Sequence, residues 1–376
     1  MANNSNSNNG HRIRYAVIGL GWIAQETVLP AFATTENSQL TALVSDDPTK
    51  REELGEKYGV KTYSYDQYEE CLNNGEIDAV YIALPNHLHL EYTNRAAKQG
   101  IHVLCEKPMA VTEHECEQMI RAAKENNVKL MIAYRLHFDK ANLQAIETIK
   151  SGKIGEPRIF NSVFSQQVAL YNVRMEDISI GGGAVYDMGV YCINAARYLF
   201  QDEPTEVIAV SANNGEKRFE KIDEMTSVIM RFPRERLATF TSSFGAAGVS
   251  SYQVVGTKGD LRMDSAYSYQ GELKQQITIN QEKQEESFSA GDQFAAEIIY
   301  FSDCVLNNKE PEPSGEEGLA DVRIVRAIYE SAQTGKPVQL GTFERQLRPG
   351  AQQTIERPAS EQEPELVHAA DPSGKS

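Results

Sequence analysis

Between Ile13 and about Tyr134, short apolar runs alternate with amphipathic stretches. The runs are "IRYAVIG", "LTALVS", "DAVYIALP", "IHVLCEKP" and "KLMIAYR". Helical patterns fall between them at residues 23–35, 48–58, 87–99 and 112–126, the last opened by Thr112 and Glu115 at capping-box spacing. A continuous apolar run has no wet face, so each strand is expected to carry helices on both sides. That predicts a doubly wound parallel sheet of βαβ units, a Rossmann fold, over residues 12–135.

After Ala141 the texture changes. "RIFNSVFSQQV", "TEVIAVSAN", "TSVIMRF", "RLATFTSSFG", "SYQVVGTKGDLRMD" and "QQITINQ" alternate apolar and polar positions, with turn residues between them. Alternation favours antiparallel strands with one wet face. Helices are expected at 184–200, near 293–307 and at 318–335. Residues 136–344 are therefore read as an α+β domain on a large, mostly antiparallel open sheet, serving substrate binding and oligomerisation. Residues 1–11 and the Pro-, Gln-, Glu- and Ser-rich tail 345–376 are expected to be disordered.

A length of 376 residues leaves room for two such cores. The formal net charge of −16 argues against nucleic acid or an anionic membrane as partner. No apolar run approaches the ~18 residues of a membrane span. The five cysteines form no CxxC pair, and "MANNSNSNNGHR" has no apolar signal core, so a cytoplasmic location is expected.

"GLGWIA" follows the first strand and opens a helix, which is the setting that G-x-G-x-x-G/A requires. The first glycine makes the turn, the second admits a pyrophosphate, and the small last residue packs helix on strand. Gly19, Leu20, Gly21, Trp22 and Ile23 are thus candidate cofactor contacts, against the plainer reading of a glycine turn used for packing. The second strand ends "LVSDDPTK". An acid in its ribose slot favours NAD; Ser45 there, with Lys50 and Arg51 a turn later, favours a 2′-phosphate. Strand register decides between Ser45, Asp46 and Asp47. NADP is expected, with NAD possible. In "ALPNHLH", Leu84, Pro85, Asn86 and His89 end the next strand, where open α/β sheets bind ligands. His87 and His89 have no third ligand at a recognisable spacing, so no metal is expected.

"CEKP" ends the following strand at the same edge, which puts Glu106 and Lys107 near the nicotinamide. With "GLGWIA", "LPN", "AYR" and "GGGAVYDMGVYCINAARYL" in this order, the chain resembles the glucose–fructose oxidoreductase, inositol dehydrogenase and rhizopine-catabolism (Gfo/Idh/MocA) oxidoreductases. The resemblance covers most of the chain. It implies that Lys107 contacts nicotinamide and reacting hydroxyl, that a cis bond precedes Pro108, that Asp187 and Tyr191 are the catalytic aspartate and acid/base, and that Arg135 lies near the nicotinamide. Their i,i+4 spacing independently puts Asp187 and Tyr191 on one helix face. The implied activity is hydride transfer between a sugar, at an aldose C1, and NADP. The alternatives are a glucose–fructose-type enzyme with permanently bound NADP and a nucleotide-sensing regulator. A homodimer or homotetramer through the C-terminal sheet is implied as well.

Overall fold

The computed structural model describes residues 11–345, 347–359 and 364–374. The disorder expected at residues 1–10 and in parts of the tail (346, 360–363 and 375–376) lies outside the described residues. Six strands form the first sheet: β1 (Ile13–Ile18), β2 (Ser38–Val44), β3 (Lys61–Tyr63), β4 (Ala79–Ile82), β5 (His102–Glu106) and β6 (Leu130–Ala133). Their order is β3-β2-β1-β4-β5-β6, and every pair is parallel. The winding reverses between β1 and β4, so a crevice opens at the carboxyl ends of those strands.

Both faces of this sheet are dry, which explains the unbroken apolar runs. Ala16, Ile18, Val80 and Ile82 face a core shared with Tyr92, Ala96, Cys116 and Met119 of the helices His89–Lys98 and Glu113–Glu125. Tyr15, Val17, Ala79 and Tyr81 face Phe294 and Phe301 of the helix Gln293–Leu306. The sequence pattern puts this late helix in the second domain. It docks on the first, where Phe294, Ile298 and Phe301 are buried against the sheet.

The helix after the glycine turn is irregular. Ala24–Val28 is a π-turn run, in which the Leu29 N–H donates to Ala24 O, and a 3₁₀ turn closes it at Phe32–Thr34. Pro30 lacks an N–H and would crowd the carbonyl four residues back, and widening the preceding turn absorbs that conflict.

The second sheet has nine strands: β7 (Pro157–Ser165), β8 (Glu206–Ala212), β9 (Met225–Phe232), β10 (Arg236–Ser243), β11 (Val249–Gly256), β12 (Gly259–Asp264), β13 (Glu272–Ile279), β14 (Glu282–Ser289) and β15 (Val338–Gln339). The order is β14-β13-β12-β11-β7-β10-β9-β8-β15. All neighbours are antiparallel apart from the parallel pair β7–β10. The inner face packs on the helix Val190–Phe200. Strand β14 is almost wholly polar, as suits an exposed edge, and period-two reading passes over it.

The tail differs from expectation. The Arg345 side chain is buried and pairs with Glu312 and Glu317, Arg348 pairs with Glu203 at 2.9 Å, and Gln353 Nε2 donates to Glu312 O at 2.9 Å. Further on, Val367 packs on the core beside the glycine turn. Composition hides this because the anchors are charges and amides. Among the described residues no helix is long and apolar enough to cross a membrane.

Candidate active site

Gly19 holds φ at +91°, and a Cβ there would lie 2.7 Å from Ala83 O. Only glycine serves at this position, both for conformation and for the approach of β4. A Cβ on Gly21 would meet nothing within 4 Å, so the mouth of the following helix is clear. This cradle fits a dinucleotide pyrophosphate. Trp22 and Ile23 are half-buried on the first helical turn, with the Trp22 ring 6.5 Å from Tyr269. Leu20 is buried, and its carbonyl accepts Gln25 Nε2 at 2.9 Å.

The residues after β2 divide their work. The Asp46 carboxylate accepts Tyr65 N–H at 2.8 Å. Asp47 caps the helix Pro48–Tyr58 through the N–H groups of Thr49 and Lys50, at 3.0 and 3.2 Å. Both acids are therefore occupied with backbone donors. Ser45 stands at the strand end, and Arg51 Nη1 donates to its carbonyl at 2.5 Å. Burial draws the Lys50 ammonium below its usual range. A hydroxyl beside the Arg51 guanidinium fits a 2′-phosphate better than a bare ribose diol.

At the end of β4, Leu84 packs against Gly19, Pro85 is half-buried, and Asn86 Nδ2 donates to Gly181 O at 2.7 Å. His89 departs from its expected place beside the cofactor. It is fully buried, with Nε2 2.8 Å from Leu84 O and Nδ1 3.0 Å from Pro108 O. It braces the ends of β4 and β5, and both of its nitrogens face carbonyls. The glycine run 181–183 packs against the chain itself. Added Cβ atoms would strike Asn86, Glu176 O and the Tyr329 hydroxyl at 2.7, 1.8 and 2.9 Å.

Lys107 precedes a cis peptide bond to Pro108. Its Nζ donates to Asp187 O at 2.9 Å and Oδ1 at 3.2 Å, and lies 4.7 Å from the centre of the Tyr191 ring. Asp187 sits in a π-turn, Val185–Gly189, that leads directly into the helix bearing Tyr191. Arg135 lies over the same tyrosine ring at 5.1 Å, held by Gln293 Oε1 and by Tyr267 O at 2.6 Å. The fold thus gathers Lys107, Arg135, Asp187 and Tyr191 where the first sheet's carboxyl edge meets the second domain.

Burial alone would raise the Asp187 pKa. Arg174, whose Nε is 2.9 Å from Oδ2, and Lys107 more than offset this and hold the carboxyl below its ordinary value. Burial opposes the Lys107 charge too, yet Tyr191, Asp187 and Glu106 outweigh it and its pKa is raised. Lys107 is therefore a fixed cation and Asp187 a fixed anion at neutral pH. Sequence reading missed Arg174, Gln293 and Tyr267. Arg174 lies in a single 3₁₀ turn, Tyr267 in a turn and Gln293 at a helix start, with no motif around them, and only the fold brings them in.

A dinucleotide-binding fold whose carboxyl edge carries an amine, a carboxylate and a phenol in contact defines a nicotinamide-dependent oxidoreductase. Residues 13–134 match the GFO/IDH/MocA "oxidoreductase family, NAD-binding Rossmann fold", and residues 142–262 match the GFO/IDH/MocA C-terminal domain. The chain belongs to the GFO/IDH/MocA oxidoreductase family. It is 32% identical over 335 residues to D-xylose 1-dehydrogenase [NADP(+)] of Haloarcula marismortui, covering 87% of this chain and 93% of that one. The crystal structure of aldose-aldose oxidoreductase from Caulobacter crescentus, complexed with glycerol, is similar at TM-score 0.84 and 36% identity, over 88% of this chain and all of that one. A 3-ketoreductase from Actinomadura kijaniata, solved with NADP and TDP-benzene, is similar at TM-score 0.79 and 27% identity, over 85% and 98%.

Proposed function

We propose that this enzyme uses NADP and moves hydride between nicotinamide and a sugar carbinol carbon, an aldose C1, at Lys107, Asp187 and Tyr191. The observation that carries this reading is the contact of Lys107 Nζ with Asp187 and with the Tyr191 ring beside the glycine-rich turn. The NADP-linked xylose dehydrogenase and the aldose-aldose oxidoreductase among its relatives support the sugar and the cofactor. When bound, the dinucleotide supplies the hydride acceptor. In the oxidative direction the carbinol C–H leaves as hydride, the hydroxyl proton passes to Tyr191, and a C=O forms. The Lys107 cation stabilises the developing alkoxide. Asp187 orients the sugar and balances Lys107. Tyr191→Phe is the test: turnover should fall by roughly 10²-fold or more with NADP affinity retained. Near-normal turnover would refute the role.

A second reading has its own observation. The tail touches both domains. Val367 N donates to Gln25 Oε1 at 2.7 Å, Gln25 Nε2 donates to Val367 O at 2.9 Å, and His368 Nδ1 lies 2.9 Å from Asp47 at the ribose slot. Four residues on, Pro372 O accepts Ala169 N–H at 2.9 Å in the second domain. A strap in this position slows nucleotide exchange and favours hydride transfer between two sugars with NADP retained. NADP that survives exhaustive dialysis of the purified protein would support this reading, and complete loss would exclude it.

The outer face of the second sheet exposes Ile159, Val163, Ile208, Val210, Ile229 and Leu237 on adjoining strands. Alternation places them together, and a contiguous apolar face of this kind marks a protein contact. We assign it to a second copy of the chain, giving a dimer or a tetramer. All five cysteines are free and buried, which suits the reducing cytoplasm where we place the enzyme. Its recovery in an extracellular fraction would contradict that placement.

A further inference from the structure

Beneath Lys107 lies a hydrogen-bond chain that the reaction above does not use. The Tyr81 hydroxyl oxygen is 2.8 Å from Glu106 Oε1 and 2.9 Å from Glu297 Oε1. Glu106 Oε2 in turn accepts the Lys107 backbone N–H at 3.2 Å. Tyr81 and Glu297 are fully buried.

The contacts constrain the proton count. A phenol has one hydrogen and can donate to only one of two carboxylates. Two ionised carboxylates at these distances would leave one oxygen–oxygen contact without a proton between buried, repelling groups. A second hydrogen must lie on one of the carboxyls and be donated to the tyrosine oxygen. Glu106 is the poorer host, because it already accepts the Lys107 N–H and lies beside the Lys107 charge. Among the described residues Glu297 has no ion-pair partner, with Arg135 acting on it only at longer range, and its second oxygen, Oε2, is buried without a hydrogen-bond partner.

We infer that Glu297 is a protonated carboxylic acid that donates to Tyr81, so that Tyr81 donates to an ionised Glu106 and fixes the backbone that aims Lys107. Glu297 is thus a positioning residue. It stands one helical turn from Gln293, which holds Arg135, so the helix Gln293–Leu306 steadies two of the site's cations from one face. Burial drives the Glu297 acid well above its ordinary range, and the nearby Glu106 charge adds to this. The charged and titratable groups facing it are Glu106 and Tyr81 from the parallel sheet, Arg135 from the loop after β6, and Asp292 at its own helix start.

The aiming of Lys107 rests on the hydride-transfer reading, whereas the protonation does not, so a spectrum tests the latter alone. Infrared difference spectra of the full-length wild type against Glu297→Gln at neutral pH should show the carbonyl stretch of a protonated carboxylic acid, shifted in D₂O and absent from the variant. No such band in the wild type, or a band kept in Glu297→Gln and lost in Glu106→Gln, would overturn the assignment. In turnover, Glu297→Leu should lower kcat roughly tenfold, and Glu297→Gln, whose amide N–H can donate to Tyr81, should restore most of it. The wild type should lose activity at alkaline pH as the acid ionises, and Glu297→Gln should keep activity to a higher pH. Identical alkaline limbs, or a Gln variant as impaired as Leu, would refute the positioning role. Circular dichroism of each variant separates these results from misfolding.

Discussion

Replacing Lys107 with Met keeps most of the side-chain volume and removes the charge. In the folded site Nζ makes two hydrogen bonds to Asp187 and lies over Tyr191, with the lysine side chain only 12% exposed. Losing one preorganised donor to a developing oxyanion costs roughly 10²–10³ in kcat. The upper end of that range is a fall of about 10³-fold, or ~4 kcal/mol of barrier. The fold should survive, because Asp187 keeps its 2.9 Å partner Arg174 and is not left as an unpaired anion. Nucleotide binding should survive as well, since the glycine turn and Ser45 lie elsewhere. Two assays separate these effects. Nicotinamide absorbance reads turnover. The chain's single tryptophan, Trp22, lies in the glycine-rich turn, so its fluorescence reads nucleotide binding. A Lys107→Met enzyme within about tenfold of wild-type kcat would refute the reasoning.

Three further outcomes follow from the geometry. Deleting residues 364–376 removes the paired Val367–Gln25 hydrogen bonds and the Ala169–Pro372 bond, worth about 1 kcal/mol each, and should speed NADP release by ~10–100-fold in stopped-flow Trp22 fluorescence; an unchanged rate would dismiss the strap. Asp187 is depressed in the folded state, so its stabilisation is present above the unfolded carboxylate range and is lost as pH falls through the lower folded value. Arg174→Met should move that loss to higher pH in acid unfolding followed by circular dichroism, and a superimposable acid limb would show that Arg174 does not hold Asp187. Ile229→Lys with Leu237→Glu should convert the oligomer to monomer in light scattering while leaving the circular dichroism intact, and a wild-type mass would move the interface elsewhere.

Much of this architecture is legible in the chain because burial on both faces of a parallel sheet forces unbroken apolar runs, and a half-wet sheet forces alternation. Gly19 and Gly21 are legible for a related reason: one turn geometry satisfies both φ and phosphate approach. What stays hidden depends on partners distant in sequence. The glycine run 181–183 packs against Asn86, Glu176 and Tyr329, with Asn86 and Tyr329 far from it in the sequence. His89 looks like a cofactor contact until both ring nitrogens are found facing carbonyls. Ser45, Asp46 and Asp47 are equivalent candidates on paper, and only the cap at Thr49 and the loop at Tyr65 show which side chains are occupied. The tail's composition signals disorder, but its arginines and Gln353 find buried acids that no local pattern announces.

The central claim is an NADP-linked aldose oxidoreductase working through Lys107, Asp187 and Tyr191. Its most direct test is nicotinamide absorbance of the purified protein given D-xylose or D-glucose, with and without added NADP+. The account predicts NADPH formation: steady if the nucleotide exchanges freely, or a burst no larger than the enzyme concentration if the strap retains it. No absorbance change with either sugar, in protein whose Trp22 signal shows NADP bound, would contradict it.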